Sequence, residues 1–159
     1  MDVQYINPFI ESVRSVFETM IQMDVTLGKP FVTEAMPRYD ISGIIGMSGD
    51  VVGSVVLSFP APVAEIVIGK LVGGECPTTS PDFADALGEL ANMISGAAKA
   101  KFAGKKVSIS TPSVVVGPGH TIARPTGTIC ISLPCSLYCG EFSIDIAIGE
   151  EARQAKAVA

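Results

Sequence analysis

Asp85, Glu89 and Asn92 are the residues whose types and spacing are best suited to chemistry. They lie in a stretch of helical periodicity that opens at Ser80-Pro81-Asp82. A serine N-cap, a proline at the first helical position and an acidic first turn mark a helix start there. Glu89 and Asn92 are three residues apart, so their side chains are neighbours on the helix surface. An amide beside a carboxylate can both accept and donate hydrogen bonds.

On a helical wheel, the apolar residues of this helix fall in one arc of roughly 100° and predict its buried face. They are Phe83, Leu87, Leu90, Ala91, Ile94 and Ala98. Asp85, Glu89, Asn92 and Gly96 fall nearly opposite, so we expect exposure. This second arc is either an ordinary solvated surface or a site that another molecule approaches closely. Asparagine and glycine are both unfavourable in an exposed helix interior, which favours the second interpretation.

Length and composition exclude several classes of protein. The 159 residues suit one domain, which we expect over residues 1–150 with a polar tail over 151–159. A net charge of −5 argues against a nucleic-acid partner, which needs a basic surface. The most apolar stretch, residues 51–72, is interrupted by prolines and charges and does not suit a membrane span. The chain begins without a signal-peptide pattern, so we expect a cytoplasmic protein.

Hydrophobic periodicity predicts the order helix, three strands, two helices and three strands. We expect helices from the N-cap Asn7 to Gly28, over Val63–Val72 and from Ser80 to Phe102. We expect strands over Lys29–Ala35, Asp40–Met47, Val51–Phe59, Val107–Val116, Gly127–Leu137 and Glu141–Gly149. Each half opens with a long helix that leads into strands, which suggests an internal two-fold duplication. The predicted fold is α+β, with one antiparallel-rich, six-stranded sheet carrying two long helices and a shorter one.

Cysteine and histidine offer a second kind of chemistry. The four cysteines are Cys76, Cys130, Cys135 and Cys139, and His120 is the one histidine. Because the chain has no C-x-x-C pair, we predict no metal site and interpret the thiols as reduced and structural. A cysteine nucleophile with His120 as its base stays open as an alternative enzyme class. No glycine-rich phosphate or dinucleotide motif is present, so we expect no nucleotide cofactor.

The string Asp85-Ala-Leu-Gly-Glu89-Leu-Ala-Asn92 resembles the signature of the CheC/CheX family of chemotaxis phosphatases. That signature is an Asp or Ser, three residues, Glu, two residues and Asn, with a proline downstream that Pro112 resembles at a slightly different spacing. The order of elements is also similar over most of the chain. The first helix offers Glu11 but has Arg14 where the family's second motif has Asn. The resemblance is therefore to the CheX branch, with one site per chain, and it implies a homodimer.

The resemblance implies that the protein hydrolyses the aspartyl phosphate of a CheY-type response-regulator receiver domain. It assigns Asn92 to orienting the attacking water and Glu89 to pairing with the receiver's active-site lysine. Asp85 is the first motif position, and Gly88, Gly96 and Pro112 belong to the surface that meets the partner. The receiver is expected to supply Mg²⁺, so that this chain needs no cofactor of its own.

The same resemblance leaves a non-enzymatic alternative open. The fold also serves in flagellar-switch components, so the chain could be a scaffold that docks a partner without dephosphorylating it. The Glu89 and Asn92 pair argues for catalysis, because a scaffold has no need of it. Lysines 99, 101, 105 and 106 form a basic cluster that either complements the helix dipole or steers an acidic receiver.

Overall fold

The computed structural model describes residues 3–35, 37–124 and 127–150. The helices are α1 (Val3–Val16), extended by a π-helical turn (Phe17–Ile21), α2 (Ala61–Val72) and α3 (Pro81–Lys99). The strands are β1 (Thr26–Leu27), β2 (Phe31–Thr33), β3 (Tyr39–Gly49), β4 (Val51–Phe59), β5 (Val107–Ile109), β6 (Ser113–His120), β7 (Cys130–Leu137) and β8 (Gly140–Glu150). They form a single sheet in which every described pairing is antiparallel. The expected α+β class is confirmed.

The sheet has a two-fold pattern of connections. Its central order is β7-β8-β4-β3, with β1 and β2 paired along β7 and with β5 and β6 paired along β3. Each half of the chain therefore contributes a long helix, two edge strands and a hairpin. The edge strands of each half pair with the hairpin of the other half. This topology agrees with the internal duplication that the sequence suggests, and it makes α1 and α3 equivalent elements.

The hydrophobic core lies between the helices and one face of the sheet. Ile45, Val55 and Ile146 stand opposite one another on neighbouring strands and are buried on this face. Phe142 stacks between Phe17 and Phe59, with ring centroids 5.1 and 4.7 Å away. Burial of each large apolar side chain contributes roughly 1.5–3 kcal/mol. Because α1 packs beside α3 and α3 lies against β3, this core holds the helix with the motif on a rigid support.

The expected start of α1 at Asn7 is wrong, because the helix begins at Val3 and contains Pro8. Proline at this position removes one helical hydrogen bond, which normally favours a helix start. Here packing outweighs that loss. Tyr5 and the ring of Pro8 are buried, and Tyr5 meets Phe102 edge-on with centroids 5.5 Å apart. The helix needs its first turn to complete this contact.

The expected helix end at Gly28 is also wrong. The π-helical turn closes α1 at Ile21, and Gln22 adopts the left-handed conformation with φ of 58°. Left-handed backbone normally favours glycine, so the sequence gives no signal for this stop. Met23 then returns to the core, where its N–H donates to the Phe17 carbonyl at 3.0 Å.

The described part of the sheet contains eight strands rather than six. The expected strand Lys29–Ala35 is represented by the shorter β2, and β1 is an additional strand that lies where the sequence predicts the end of the first helix. The expected strand Val107–Val116 is divided into β5 and β6 at residues 110–112. Pro112 cannot donate a backbone hydrogen bond, and Ser110 bonds Gly46 with its side chain at this point. A local change of hydrogen bonding therefore interrupts an apolar pattern that reads as continuous.

Other expected elements are confirmed. The hairpin β3–β4 turns at Gly49 and Asp50, and α2 ends at Gly73 with φ of 82°. The side chain of Ser80 caps α3 by accepting from the N–H of Asp82 at 3.3 Å. Helix α3 ends at Lys99, one turn before the expected Phe102. The expected tail over 151–159 lies outside the described residues, and no helix within them is long and apolar enough to cross a membrane.

Candidate active site

Helix α3 has the division into a buried and an exposed side that its sequence predicts. The six residues predicted for the buried side all lie in the core: Phe83, Leu87, Leu90, Ala91, Ile94 and Ala98. The helix comes close to β3 because Gly43 has no side chain. A methyl group on Gly43 would lie 3.3 Å from the Cβ of Ala91. The exposed side is thus carried by a helix that is seated directly on the sheet.

Glu89 and Asn92 are accessible on the outer side of α3. Glu89 is exposed, as expected, whereas Asn92 is half-buried rather than fully exposed, and neither belongs to the core. Their Cβ atoms are about 5–6 Å apart by helix geometry. Within the described residues, Glu89 forms no ion pair and the Asn92 amide forms no hydrogen bond. Both groups are therefore available to a molecule that approaches from outside.

Asp85 and Gly96 extend this accessible surface in both directions along α3. Asp85 is exposed one turn before Glu89, and Gly96 is half-buried about one turn after Asn92. A methyl group on Gly96 would have the Cδ1 of Ile109 as its nearest neighbour, at an ordinary contact distance of 3.9 Å. The fold itself therefore does not require glycine here. The expected role of both residues in meeting a partner stays a prediction.

Gly88 differs from its expected role. The resemblance places Gly88 on the surface that meets the partner, but Gly88 is buried and Pro112 fills the space beside it. A methyl group on Gly88 would lie 3.0 Å from the Cγ of Pro112, which is too close for ordinary packing. The absence of a side chain at Gly88 therefore lets Pro112 of the same chain, rather than a partner, come close to α3. Pro112 remains exposed on its other side, next to the turn that carries Glu89.

The equivalent position on α1 differs in its side chains and in their pairing. Glu11 and Arg14 have the spacing of Glu89 and Asn92 and are both exposed. The Glu11 carboxylate, however, accepts from the Nζ of Lys101 at 2.8 Å. With a cation on its carboxylate and a guanidinium in place of an amide, this position lacks the chemistry of the α3 site. The α1 position therefore does not repeat the α3 arrangement, and one site per chain stays a prediction.

His120 is not placed as a catalytic base. Its Nδ1 lies 2.7 Å from the Gly117 carbonyl, which can only accept, so Nδ1 carries the proton. Its Nε2 then accepts from the hydroxyl of Ser42 at 2.9 Å. Ser42 also bonds Ser58, and both serines are buried, with relative exposures of 0 and 2%. This Ser–His pair cannot reach a substrate and acts as an internal hydrogen-bond network.

Two of the four thiols are also poor nucleophiles. Cys130 and Cys135 lie on opposite faces of β7, and Cys139 lies in the following turn. Burial, with a smaller effect of Asp145, raises the pKa of Cys130 to about 11, and burial raises the pKa of Cys135 to about 12. Among the described residues, no three His, Cys, Asp or Glu side chains converge as a metal site would require. The described geometry therefore does not favour the alternative of cysteine chemistry.

One buried carboxylate lies on the face of the sheet that the helices do not cover. Asp145 accepts from the hydroxyl of Tyr39 at 2.6 Å, and Arg124 lies 3.9 Å from the same oxygen. Burial and then this bond to Asp145 raise the pKa of Tyr39 well above its usual value. Arg124 also donates to the Ala35 carbonyl at 3.4 Å. These contacts tie the connections before β3 and after β6 to the sheet.

Comparison with known proteins finds a matching family and a curated relative. Residues 41–136 match the family described as chemotaxis phosphatase CheX. The chain is 31% identical to the CheY-P phosphatase CheX of Thermotoga maritima over 153 residues, which cover 93% of this chain and 97% of that protein.

Solved structures show the same fold. A CheC-like superfamily protein from Shewanella sp. PV-4 has a TM-score of 0.85 at 33% identity, covering 94% of this chain and 99% of that one. The CheX chain in a CheX–CheY–BeF3–Mg²⁺ complex from Borrelia burgdorferi has a TM-score of 0.81 at 26% identity, covering 94% of this chain and all of that one. The family match, the identity to a CheX along nearly the whole chain and the shared fold together show that this protein belongs to the CheX family of chemotaxis phosphatases.

Proposed function

We propose that this protein hydrolyses the aspartyl phosphate of a CheY-type response-regulator receiver domain. The observation that carries the proposal is the pair of accessible, unpartnered side chains, Glu89 and Asn92, on the rigid helix α3 of a CheX-family chain. The related Thermotoga protein is named a CheY-P phosphatase, and the related Borrelia protein forms a complex with CheY.

Asn92 supplies the catalytic contact. Its carboxamide oxygen accepts a hydrogen bond from one water, and its NH₂ group donates to a phosphoryl oxygen. The water is thereby held in line with the acyl-phosphate bond. Its oxygen bonds the phosphorus as the bond to the aspartate oxygen breaks, which releases inorganic phosphate and restores the carboxylate. Positioning and electrostatics supply most of the catalysis in phosphoryl transfer, so one well-placed amide suffices.

Glu89 holds the two proteins in register. Its free carboxylate pairs with the receiver's active-site lysine, in an interface that removes part of the surrounding water. A partly desolvated ion pair contributes more than an exposed one and also favours the correct orientation on encounter. Asp85 and Gly96, on either side of the pair, complete the contact surface along α3.

The metal ion for the reaction comes from the partner, and the protein itself acts as a cytoplasmic homodimer. The receiver supplies the Mg²⁺ that offsets phosphoryl charge, so no metal of this chain enters the reaction. We place the protein in the cytoplasm, where its four free thiols stay reduced. A homodimer joined through the sheets is also part of this proposal, and light scattering should then give twice the chain mass of 16.5 kDa.

The test is a dephosphorylation assay with several purified receiver domains. Each receiver is phosphorylated in the presence of Mg²⁺, and phosphate loss is followed with and without this protein. Wild type should accelerate the loss for a cognate receiver, and Asn92→Ala should remove most of that acceleration. Asn7→Ala is the matched control, because Asn7 is an exposed asparagine on the other long helix.

The scaffold alternative predicts a different result in the same assay. A protein that only docks a partner would bind the activated receiver and leave its phosphate lifetime unchanged. Wild type without effect on any phosphorylated receiver that it binds would therefore contradict the proposed function. Equal acceleration by wild type and Asn92→Ala would remove Asn92 from the mechanism.

A further inference from the structure

The connection between β5 and β6, residues 110–112, is fixed to the sheet by Ser110. The N–H of Ser110 donates to the Gly46 carbonyl at 2.8 Å, and its hydroxyl oxygen accepts from the Gly46 N–H at 2.9 Å. The same hydroxyl donates to the Thr111 carbonyl at 2.9 Å. One serine thus holds Gly46 of β3 by two bonds and stiffens the backbone that leads to Pro112.

Pro112 connects this fixed segment to α3. Its ring contacts the glycine turn of the helix, where a methyl group on Gly88 would lie 3.0 Å from Cγ and 3.3 Å from Cβ of the proline. Proline has a restricted backbone and a short ring, so it cannot move aside as a flexible side chain would. Gly88 directly precedes Glu89. The ring therefore limits how far this turn of α3 can shift or rotate.

Two separate contacts hold this part of α3. On its inner side, α3 is seated on Gly43 through Ala91, and on its flank it is held by Pro112. The Gly46–Ser110–Pro112–Gly88 series, which we name the flank brace, joins β3 to the residue before Glu89. Apolar packing alone tolerates small rotations of a helix, whereas a proline ring against a bare helix backbone does not.

We propose that Ser110 and Pro112 are positioning residues that set the orientation of Glu89 and Asn92 through the flank brace. This inference rests on the phosphatase function proposed above. Orientation matters because misplacing a reacting group by about 1 Å costs up to about 100-fold in rate. The brace reaches the pair only through α3, so its loss should lower turnover, which depends on the exact position of Asn92, much more than the affinity for the receiver.

The first experiment removes the hydroxyl of Ser110. Ser110→Ala should lower the dephosphorylation rate at saturating protein by about tenfold. The dissociation constant for a beryllofluoride-activated receiver should stay within about twofold of wild type, since Ser110 lies outside the proposed contact pair. Ser110→Thr keeps the hydroxyl and should retain nearly full turnover. Circular dichroism and thermal melting check that both variants fold.

The second experiment tests the contact between Pro112 and Gly88. Gly88→Ala places a methyl group against the ring and should lower turnover by about tenfold. Pro112→Ala should lower turnover less, because it loosens the turn without displacing it. In the double variant the clash is absent, so turnover should rise above that of Gly88→Ala alone. This recovery distinguishes a change in helix position from damage to the helix. The Gly88 and Pro112 variants therefore test the proposal even if Ser110→Ala fails to fold.

Four outcomes would contradict the positioning role or the function on which it rests. Wild-type turnover in both Ser110→Ala and Gly88→Ala would overturn the proposed positioning role while leaving the phosphatase function intact. Weaker receiver binding with normal turnover in Pro112→Ala would return Pro112 to the partner surface and also overturn it. Equal loss in Gly88→Ala and the double variant would show that Pro112 does not transmit the effect. A wild-type protein without phosphatase activity would instead remove the proposed function, and this inference with it.

Discussion

The carboxylate of Glu11 on α1 lies 2.8 Å from the ammonium group of Lys101, just beyond the end of α3. The equivalent carboxylate of Glu89 has no cation partner among the described residues. The two-fold topology makes these positions comparable, but the two carboxylates differ in their pairing. One carboxylate pairs with a lysine that follows α3, and the other is accessible for pairing with another molecule.

The ion pair between Glu11 and Lys101 should matter little for activity or stability. Its side chains are 61 and 44% exposed, and such pairs contribute up to about 1 kcal/mol. We expect Glu11→Gln and Arg14→Ala to leave turnover unchanged and to change the free energy of unfolding by at most about 1 kcal/mol. Turnover assays and denaturant titration measure both quantities. A large loss of turnover in either variant would show that α1 takes part in the reaction.

Glu89→Gln should weaken receiver binding without unfolding the protein. The amide has the shape of the carboxylate but cannot form an ion pair with the receiver's lysine. We expect an increase in the dissociation constant of about fivefold or more at low salt and a smaller salt dependence of binding. Titration against an activated receiver at two salt concentrations measures this. Glu18→Gln, at an exposed glutamate beyond α1, is the control, and an equal effect there would contradict a specific role for Glu89.

The two glycines of α3 should respond oppositely to alanine. Gly96→Ala gains helix propensity and meets no atom closer than 3.9 Å, so the free energy of unfolding should rise by roughly 0.5–1 kcal/mol. Gly88→Ala has the same intrinsic gain but presses on Pro112, and its stability should be equal to or below that of wild type. Denaturant unfolding of both variants measures the difference. Equal stabilisation of the two variants would show that the Pro112 ring moves aside at no cost in stability.

Alkaline pH should destabilise the protein through its buried thiols. Cys130 and Cys135 keep their protons to about pH 11 and 12 when folded, whereas an ordinary thiol loses its proton near 9. The unfolded chain therefore binds fewer protons above pH 9, and stability falls as pH rises from there towards the folded pKa values. Denaturant midpoints between pH 7 and 11 measure this decline. Replacing both cysteines by alanine should make it shallower, and an unchanged slope would contradict this origin.

Helix α3 could be predicted nearly in full from the sequence, including its cap at Ser80, its buried side and its accessible Glu89 and Asn92. Local signals agree there, because capping, apolar periodicity and polar exposure all indicate the same helix. The start of α1 could not be predicted, since the burial of Tyr5 against Phe102 overrides the local preference of Pro8. Only the tertiary structure contains that contact.

Ser110 is the residue of the site region that sequence reasoning missed. A serine in an apolar, strand-like stretch carries no signal that distinguishes it from any solvated residue. Pro112 was identified only through the family pattern, and its contact with Gly88 depends on how β6 passes α3. Sequence reasoning identifies the motif residues, but it does not identify Ser110 or the contact between Pro112 and Gly88, which we propose position them.

The most direct measurement of the central claim compares Asn92→Ala with wild type for both binding and chemistry. The dissociation constant for a beryllofluoride-activated receiver and the rate of phosphate loss at saturating protein are measured under the same conditions. We predict a rate at least about 100-fold lower, with affinity within about twofold, because Asn92 acts on the attacking water rather than on docking. A wild-type rate, or a loss that comes entirely from weaker binding, would contradict the account.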